Sequence, residues 1–277
     1  VNWRIRTGSL PLDDTVLMGI VNVTPDSFSD GGSFLDPDQA VAHARTLVES
    51  GAHLVDVGGE STRPGAEPVP EPEELRRVIP VVRELAASGV RVSIDTRKPK
   101  VAEAALEAGA VVINDVSGLA DPAMRRLAAE SGAGVVVMHM KGDPRTMQSQ
   151  AVYTDVVAEV ADFLRRRAEE AVADGVHPEA VCVDPGIGFG KTPEHNLRLL
   201  RDLPAIVELG YPVLVGTSRK SFLGVITGKE NPADRDLATA VTVALAVERG
   251  AHAVRVHDVA AAREAAAVAA AIVRAAP

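Results

Sequence analysis

The sequence predicts an α/β protein, a (β/α)8 barrel of the TIM type that takes residues 1–277 as a single domain. Three observations predict it. Glycine stands between an amphipathic stretch and a short Val-rich run at Gly51, Gly89, Gly109, Gly132, Gly175, Gly210 and Gly250. Just past a helix end, glycine takes the left-handed conformation that closes the last turn. The runs that follow are almost continuously apolar and β-branched, as expected of strands buried on both faces of a parallel sheet. Eight strand–helix units in 277 residues average about 35 each, which fits a barrel of roughly 250 residues with some long loops. A doubly wound open sheet is the alternative topology. No Pro/Ser/Gly-rich linker divides the chain.

The elements follow in order. Val16–Asn22 is the first strand, and a helix opens at Asp36-Pro37, where Asp36 caps and Gln39 completes a capping box. Val41, Ala44, Leu47 and Val48 line its buried face at the 3.6-residue period. His53–Val57 is the second strand; Leu75, Val78, Ile79, Val82 and Leu85 mark the helix after it. Arg91–Asp95, Val111–Asn114 and Gly134–Met138 are the third to fifth strands, with Asp121-Pro122 opening the helix between the last two. Ala180–Asp184, Pro212–Gly216 and His252–Val256 complete the eight. Thr192-Pro193 and Asn231-Pro232 open helices among them, and an Ala-rich helix runs from about Asp258 to Ala276.

Composition bounds the function. The chain carries 29 basic and 38 acidic side chains, a net charge of −9, which argues against nucleic acid as a partner. The lone Cys182 excludes a disulfide scaffold and fits a reducing, cytoplasmic setting. Inside a strand and without an activator, it reads as a buried structural thiol. Val1–Asp14 has no apolar core of a secretory signal, and Ala265–Val273, between Glu264 and Arg274, is too short to span a bilayer, so no membrane partner is expected.

A barrel of this kind builds its active site at the carboxyl ends of its strands. Those ends carry Asn22, Asp56, Asp95, Asn114 with Asp115, His139, Asp184, Thr217 with Ser218, then Arg255 and His257. Every end can hydrogen-bond or ionise, whereas the glycine-marked opposite ends are chemically plain; such a set favours a ligand site. All six lysines, among them Lys191 and Lys220, lie outside the strand bodies, which argues against a Schiff-base mechanism. Gly186-Ile-Gly-Phe-Gly-Lys191 fails both the phosphate-loop and the dinucleotide-loop spacing, since Pro185 and Lys191 stand where glycines are needed. No HExxH, Cys-x-x-Cys or three-histidine cluster points to zinc.

Read as whole segments, the strand ends become specific. Met18-Gly-Ile-Val-Asn-Val-Thr-Pro-Asp-Ser-Phe-Ser-Asp-Gly-Gly32 and Asp56-Val-Gly-Gly-Glu-Ser-Thr-Arg-Pro-Gly65 resemble the two signatures of the dihydropteroate synthase family. Ser93-Ile-Asp-Thr-Arg97, Ile113–Gly118, Met138-His-Met140, Asp184–Lys191, Gly216-Thr-Ser-Arg-Lys-Ser-Phe-Leu-Gly224 and Arg255-Val-His257 continue the resemblance in order over nearly the whole chain. It implies a pterin-binding barrel that condenses p-aminobenzoate with (7,8-dihydropterin-6-yl)methyl diphosphate, giving 7,8-dihydropteroate and diphosphate on the route to folate.

By the same resemblance, Asp95, Asn114, Asp184 and Lys220 hold the pterin, with Met138 and Phe189 as apolar walls, Gly216 beside them and the Arg255 guanidinium stacked on the ring. Asn22, Arg63, Arg255 and His257 take the diphosphate, with Mg2+ on Asn22. Thr62, Arg63, Pro64, Phe28 and Ser221 take p-aminobenzoate, and Asp95 with Asp30 stabilises a cationic pterin during a dissociative substitution. Lys220 and Arg63 complete the expected catalytic set. Acids such as Glu71, Glu73, Glu74, Glu169 and Glu170 are expected on outer helices, leaving Arg63, Arg219, Lys220, Arg255 and His257 as a cationic mouth. The stretch Ala66–Glu71 has no extra residues of a kind that excludes sulfonamides, so these are expected as competitive analogues. A homodimer is also implied. Two other readings share the pterin pocket: a barrel that has lost catalysis, and the related corrinoid-dependent methyltransferase barrel.

Overall fold

A computed structural model describes residues 2–24, 37–62 and 65–275. The predicted first strand is β3, Val16–Asn22, because a hairpin precedes it: β1, Asn2–Ile5, pairs antiparallel with β2, Gly8–Pro11. The sequence reading missed this hairpin, whose strands are only four residues each. The remaining strands are β4 (Leu54–Gly58), β5 (Val92–Asp95), β6 (Val112–Asp115), β7 (Gly134–Met138), β8 (Val181–Asp184), β9 (Leu214–Val215) and β10 (Ala253–Val256).

Strands β3 to β10 form one parallel eight-stranded sheet in the order β8-β7-β6-β5-β4-β3-β10-β9. A single parallel bridge between Val183 and Val213, with Val183 N donating to Pro212 O at 2.8 Å, joins the two edges into a nearly closed barrel. The open-sheet alternative is excluded. Four strands are shorter than expected, β5, β8 and β10 by one residue each and β9 by three. Ala180 belongs to a 3-10 turn, Pro178–Ala180, and Pro212 has no N–H for a ladder, so β9 keeps two residues.

The helices are α1 (Pro37–Glu49), α2 (Glu71–Ala87), α3 (Pro99–Glu107), α4 (Pro122–Ser131), α5 (Val156–Ala173), α6 (Pro193–Arg201), α7 (Pro204–Val207), α8 (Ser221–Thr227), α9 (Asp236–Glu248) and α10 (Val259–Arg274). Asp121 caps α4 by accepting from Ala123 N, and Thr192 with His195 forms a full capping box on α6. Asn231 caps a 3-10 turn rather than an α-helix. Asp36 lies outside the described residues. All seven punctuating glycines have φ between 66° and 112°. At Gly109 the reason is doubled, since a Cβ there would also lie 2.6 Å from Ala86 Cβ.

Side chains along each strand alternate between two cores. One phase, including Val55, Val57, Ile94, Val135, Val137 and Val183, packs under the helices. The other phase fills the barrel. Its lower layer is apolar: Val16, Leu54, Val112, Val136, Cys182, Leu214 and Ala253, plugged from below by Trp3, Ile5 and Leu10 of the hairpin. Trp3 is fully buried and its Nε1 donates to Ala180 O at 3.0 Å. Cys182 is free and buried, which bears out the structural thiol. Two residues further along these same strands stand Asp56, Asn114, Met138, Asp184, Gly216 and Arg255, and two beyond Ser93 stands Asp95. The apolar layer is the floor; the next layer is the site. Among the described residues no helix is long and apolar enough to cross a membrane.

Candidate active site

A cavity of about 600 Å³ opens over the carboxyl ends of the strands. Asn22, Thr62, Asp95, Asn114, Met138, Asp184, Phe189, Gly216, Lys220, Ser221, Arg255 and His257 all line it. Phe28, Asp30, Arg63 and Pro64 lie outside the described residues.

Directly above the apolar floor, the base of the cavity is an ion cluster. Arg255, on β10, donates from Nε to Asp56 Oδ2 at 2.6 Å and from Nη2 to Asp95 Oδ2 at 2.9 Å. The same Asp56 oxygen accepts Asn114 Nδ2 at 2.8 Å. Asp56 is completely buried, and its other oxygen has no hydrogen-bond partner. With its amide nitrogen committed to Asp56, Asn114, which lines the cavity, keeps its side-chain carbonyl oxygen as an acceptor. Burial raises the Asp95 carboxyl well above the ordinary range; Arg255 opposes that, and Asp56 adds to it by repulsion.

Asp184 stands at the end of β8 and accepts Gly186 N on Oδ1 at 2.7 Å, leaving further lone pairs for a ligand. Burial pushes its pKa up, against the Gly186 hydrogen bond and the nearby Lys220. Lys220 lies half-buried on the wall with Nζ 3.9 Å over the Phe189 ring centroid, a cation–π contact. Burial lowers its pKa, and Asp184 counters. The deep end therefore presents acceptors on Asp95, Asn114 and Asp184, donors on Lys220, and apolar walls from Met138, Phe189 and Ile187. This is a lining for a flat polar heterocycle with N–H groups along one edge.

At the outer end, His257 holds Ser218 Oγ 2.8 Å from Nδ1 and donates its backbone N–H to the same oxygen at 3.1 Å. Asn22, at the end of β3, faces the same space, and Ser221 begins α8 directly after Lys220. No group of three or more His, Cys, Asp or Glu residues suited to a metal exists among the described residues. Asn22 is a single neutral oxygen donor, which suits a hard divalent ion that keeps its waters and is held mainly by the ligand's own oxygens.

Two expectations need correction. The mouth is not simply cationic, because Arg219 forms a two-bond ion pair with Asp236, both bonds at 2.7 Å, and Arg255 is shared between two acids. Nor is Glu74 a solvated acid of an outer helix: it is 1% exposed, accepts Thr96 Oγ1 at 2.7 Å, and pairs with Lys98. Glu60 joins that pair, taking Lys98 Nζ at 2.6 Å and Val69 N at 2.8 Å, and so ties down the segment that carries Thr62. Asp56, Ser218 and Arg235 belong to the site or its foundation yet had no assigned role there. The first two were visible as polar strand ends; Arg235 enters from a 3-10 turn with no signal to find it.

Comparison with known proteins agrees with this geometry. Residues 18–257 match the pterin binding enzyme family. A dihydropteroate synthase of Mycobacterium leprae is 52% identical over 250 residues, 88% of each chain. The dihydropteroate synthase of Xanthomonas albilineans, solved with 4-aminobenzoic acid, is 48% identical and superposes with a TM-score of 0.93 over 100% of both chains. That of Yersinia pestis, solved with a sulfonamide drug, is 41% identical with a TM-score of 0.93, covering 98% of this chain and 99% of the other.

Proposed function

The chain belongs to the pterin-binding enzyme family, and from that premise we infer that it acts as a dihydropteroate synthase. It condenses p-aminobenzoate with (7,8-dihydropterin-6-yl)methyl diphosphate, forming 7,8-dihydropteroate and diphosphate for folate synthesis. The observation that carries this is the convergence of Asp95, Asn114, Asp184 and Lys220 on one enclosed space above an apolar floor. Asp184 suits the two N–H groups of an aminopyrimidinone edge, the Asn114 carbonyl takes another ring N–H, and Lys220 donates to carbonyl or ring nitrogen.

The reaction breaks a C–O bond to diphosphate and forms a C–N bond from the arylamine, whose nitrogen then releases a proton. We place the diphosphate toward Asn22, Arg255 and His257, which line the outer end. Magnesium held by Asn22 and phosphate oxygens would supply Lewis-acid stabilisation of the departing charge. Departure leaves positive charge shared between the exocyclic methylene and the pterin ring. Asp95, backed by Asp56 beneath it, faces that charge with a carboxylate that Arg255 already holds in place, so no reorganisation is needed. An arylamine is a neutral nucleophile, so no strong general base is required. Asp30, Phe28, Arg63 and Pro64 keep their assigned roles as part of this proposal.

A homodimer completes the reading. Leu237, Val241 and Leu245 recur every four residues on α9 and are 74%, 53% and 46% exposed. Val268, Ile272 and Val273 are likewise exposed on α10, which packs beside α9. Such a face suits a second copy of the chain. The free, buried Cys182 supports a cytoplasmic setting, and the sulfonamide complex of the Yersinia pestis relative supports competitive inhibition by that drug class.

The test is incubation of purified protein with the pterin diphosphate, p-aminobenzoate and magnesium. Dihydropteroate and diphosphate appear in equal amounts, and EDTA suppresses both. No product with all three present would overturn the reading in favour of a barrel that only binds pterin; methyl transfer from methyltetrahydrofolate would favour the corrinoid alternative.

A further inference from the structure

Lys191 takes no part in the chemistry proposed for the cavity, yet it is 3% exposed and buried directly behind it. We propose that Lys191 is a positioning residue that sets the pterin half of the site, an inference that rests on the functional reading above. Its Nζ donates to Gly186 O at 2.8 Å and to Phe189 O at 3.0 Å, and lies 2.9 Å from His139 Nδ1. These partners sit on both ends of one tight loop and on the neighbouring strand end. The ammonium thus adds to the loop's own turn bond, Phe189 N to Gly186 O at 3.0 Å, and ties that turn to the end of β7.

The loop is tightly wound: Asn196 Oδ1 accepts Gly188 N at 2.7 Å and Tyr153 Oη donates to Gly190 O at 2.9 Å, while its Gly186–Phe189 turn is held by Lys191. Gly186, Gly188 and Gly190 all have positive φ, and a Cβ at Gly186 would lie 1.9 Å from His139 O. From this loop come the groups that face the heterocycle. Gly186 N fixes Asp184 Oδ1, Phe189 lies under Lys220 Nζ, and a Cβ at Gly188 would lie 2.8 Å from Lys220 Cδ. Withdrawing the Lys191 ammonium takes the side-chain donor from Phe189 O, leaves Gly186 O with Phe189 N alone, and unties the turn from His139. Asp184, Phe189 and Lys220 shift with it. Thr62 stands on a different segment, tied by Glu60 and Lys98.

The effect is therefore selective between substrates. Lys191→Met keeps the length and removes the donors. His139→Phe keeps the ring that packs edge-on to Phe163, 4.8 Å between centroids, and removes only one partner of Nζ. The measurements are KM for each substrate, fluorescence titration of the pterin diphosphate without p-aminobenzoate, and the near-UV circular dichroism of each variant. In Lys191→Met the pterin KM and Kd rise roughly tenfold or more, and in His139→Phe roughly threefold, while KM for p-aminobenzoate stays within about twofold. A merely structural role lowers the melting temperature and the active fraction and leaves both KM values in place. An unchanged pterin KM, or both KM values rising together, in a folded variant overturns the proposal. His139→Phe decides the matter if Lys191→Met does not fold. Wild-type protein assayed in parallel separates the two levels: its own failure to make dihydropteroate overturns the functional reading, and this inference with it.

Discussion

Arg255 bonds to Asp95 through Nη2 at 2.9 Å, and so joins two strands, β10 and β5, that share no ladder. The guanidinium crosses the barrel just above its apolar floor and reaches Asp56 through Nε. One cation thereby aligns the acid that faces the substrate and the acid beneath it.

Asp95→Asn tests the electrostatic role of that acid. The amide preserves shape but removes the charge facing a cationic pterin, so kcat falls roughly 10²-fold. KM for p-aminobenzoate stays within about twofold. Initial-rate kinetics check this, and undiminished turnover with intact pterin binding would sink the assignment.

Asp56→Ala tests the foundation. It strips a completely buried carboxylate from Arg255 and Asn114 together, leaving a buried charge and an amide donor unpaired. Removing one partner of a buried ion pair costs about 3–5 kcal/mol, and equilibrium denaturation reads that loss directly. A change within about 0.5 kcal/mol would show that the cluster re-forms without it.

The His139 imidazole gives the protein a specific acid weakness. Burial, reinforced by Lys191, pushes its pKa down to about 2 in the folded chain from an ordinary 6.5. Between those values the unfolded chain binds the proton and the folded chain does not. Its contribution is thus fully present above pH 6.5 and is lost progressively as pH falls toward 2, by at most about 1.4 kcal/mol per pH unit. Thermal melts from pH 7.5 to 4.5 should fall less steeply for His139→Phe than for the wild type. Parallel curves would refute the linkage.

Trp3→Ala tests the hairpin that the sequence hid. The indole is fully buried below the barrel and hydrogen-bonded to Ala180 O, so truncation costs about 3–5 kcal/mol. Because the site lies at the other end of the strands, both KM values remain unchanged at temperatures where the variant stays folded.

Leu237→Glu with Leu245→Glu tests the proposed dimer. Charges placed twice on the exposed face of α9 convert a dimer to monomers in sedimentation analysis, without unfolding, since both positions point away from the core. A dimer that survives both changes must use another face.

The barrel was legible because parallel strands need no more than a period of glycine stops and apolar runs. The inner alternation was not, since both phases of each strand are apolar until the layer in which Leu54 gives way to Asp56 and Cys182 to Asp184. Charge pairing was equally hidden. Nothing in Glu74 or Arg219 tells a reader that one is buried against Lys98 and the other spent on Asp236, because the partners stand 24 and 17 residues away. The deep half of the site could be read from strand ends, which the ladder register fixes. The hairpin, the Lys191 contacts and Arg235 depend on how loops return to the barrel, and no local spacing encodes that.

Strand β10 lies between β3 and β9, and Arg255 meets Asp56 across 199 residues of sequence. During vectorial synthesis the amino-terminal strands therefore leave the ribosome long before the guanidinium they await. Until β10 arrives, Asp56 and Asp95 lack the guanidinium that pairs them both in the folded barrel. Such long-range closure slows folding and leaves the edge of β3 open to wrong partners. The site is complete only once β10 brings Arg255 and His257 to it, so the substrate site is also the lock that closes the barrel.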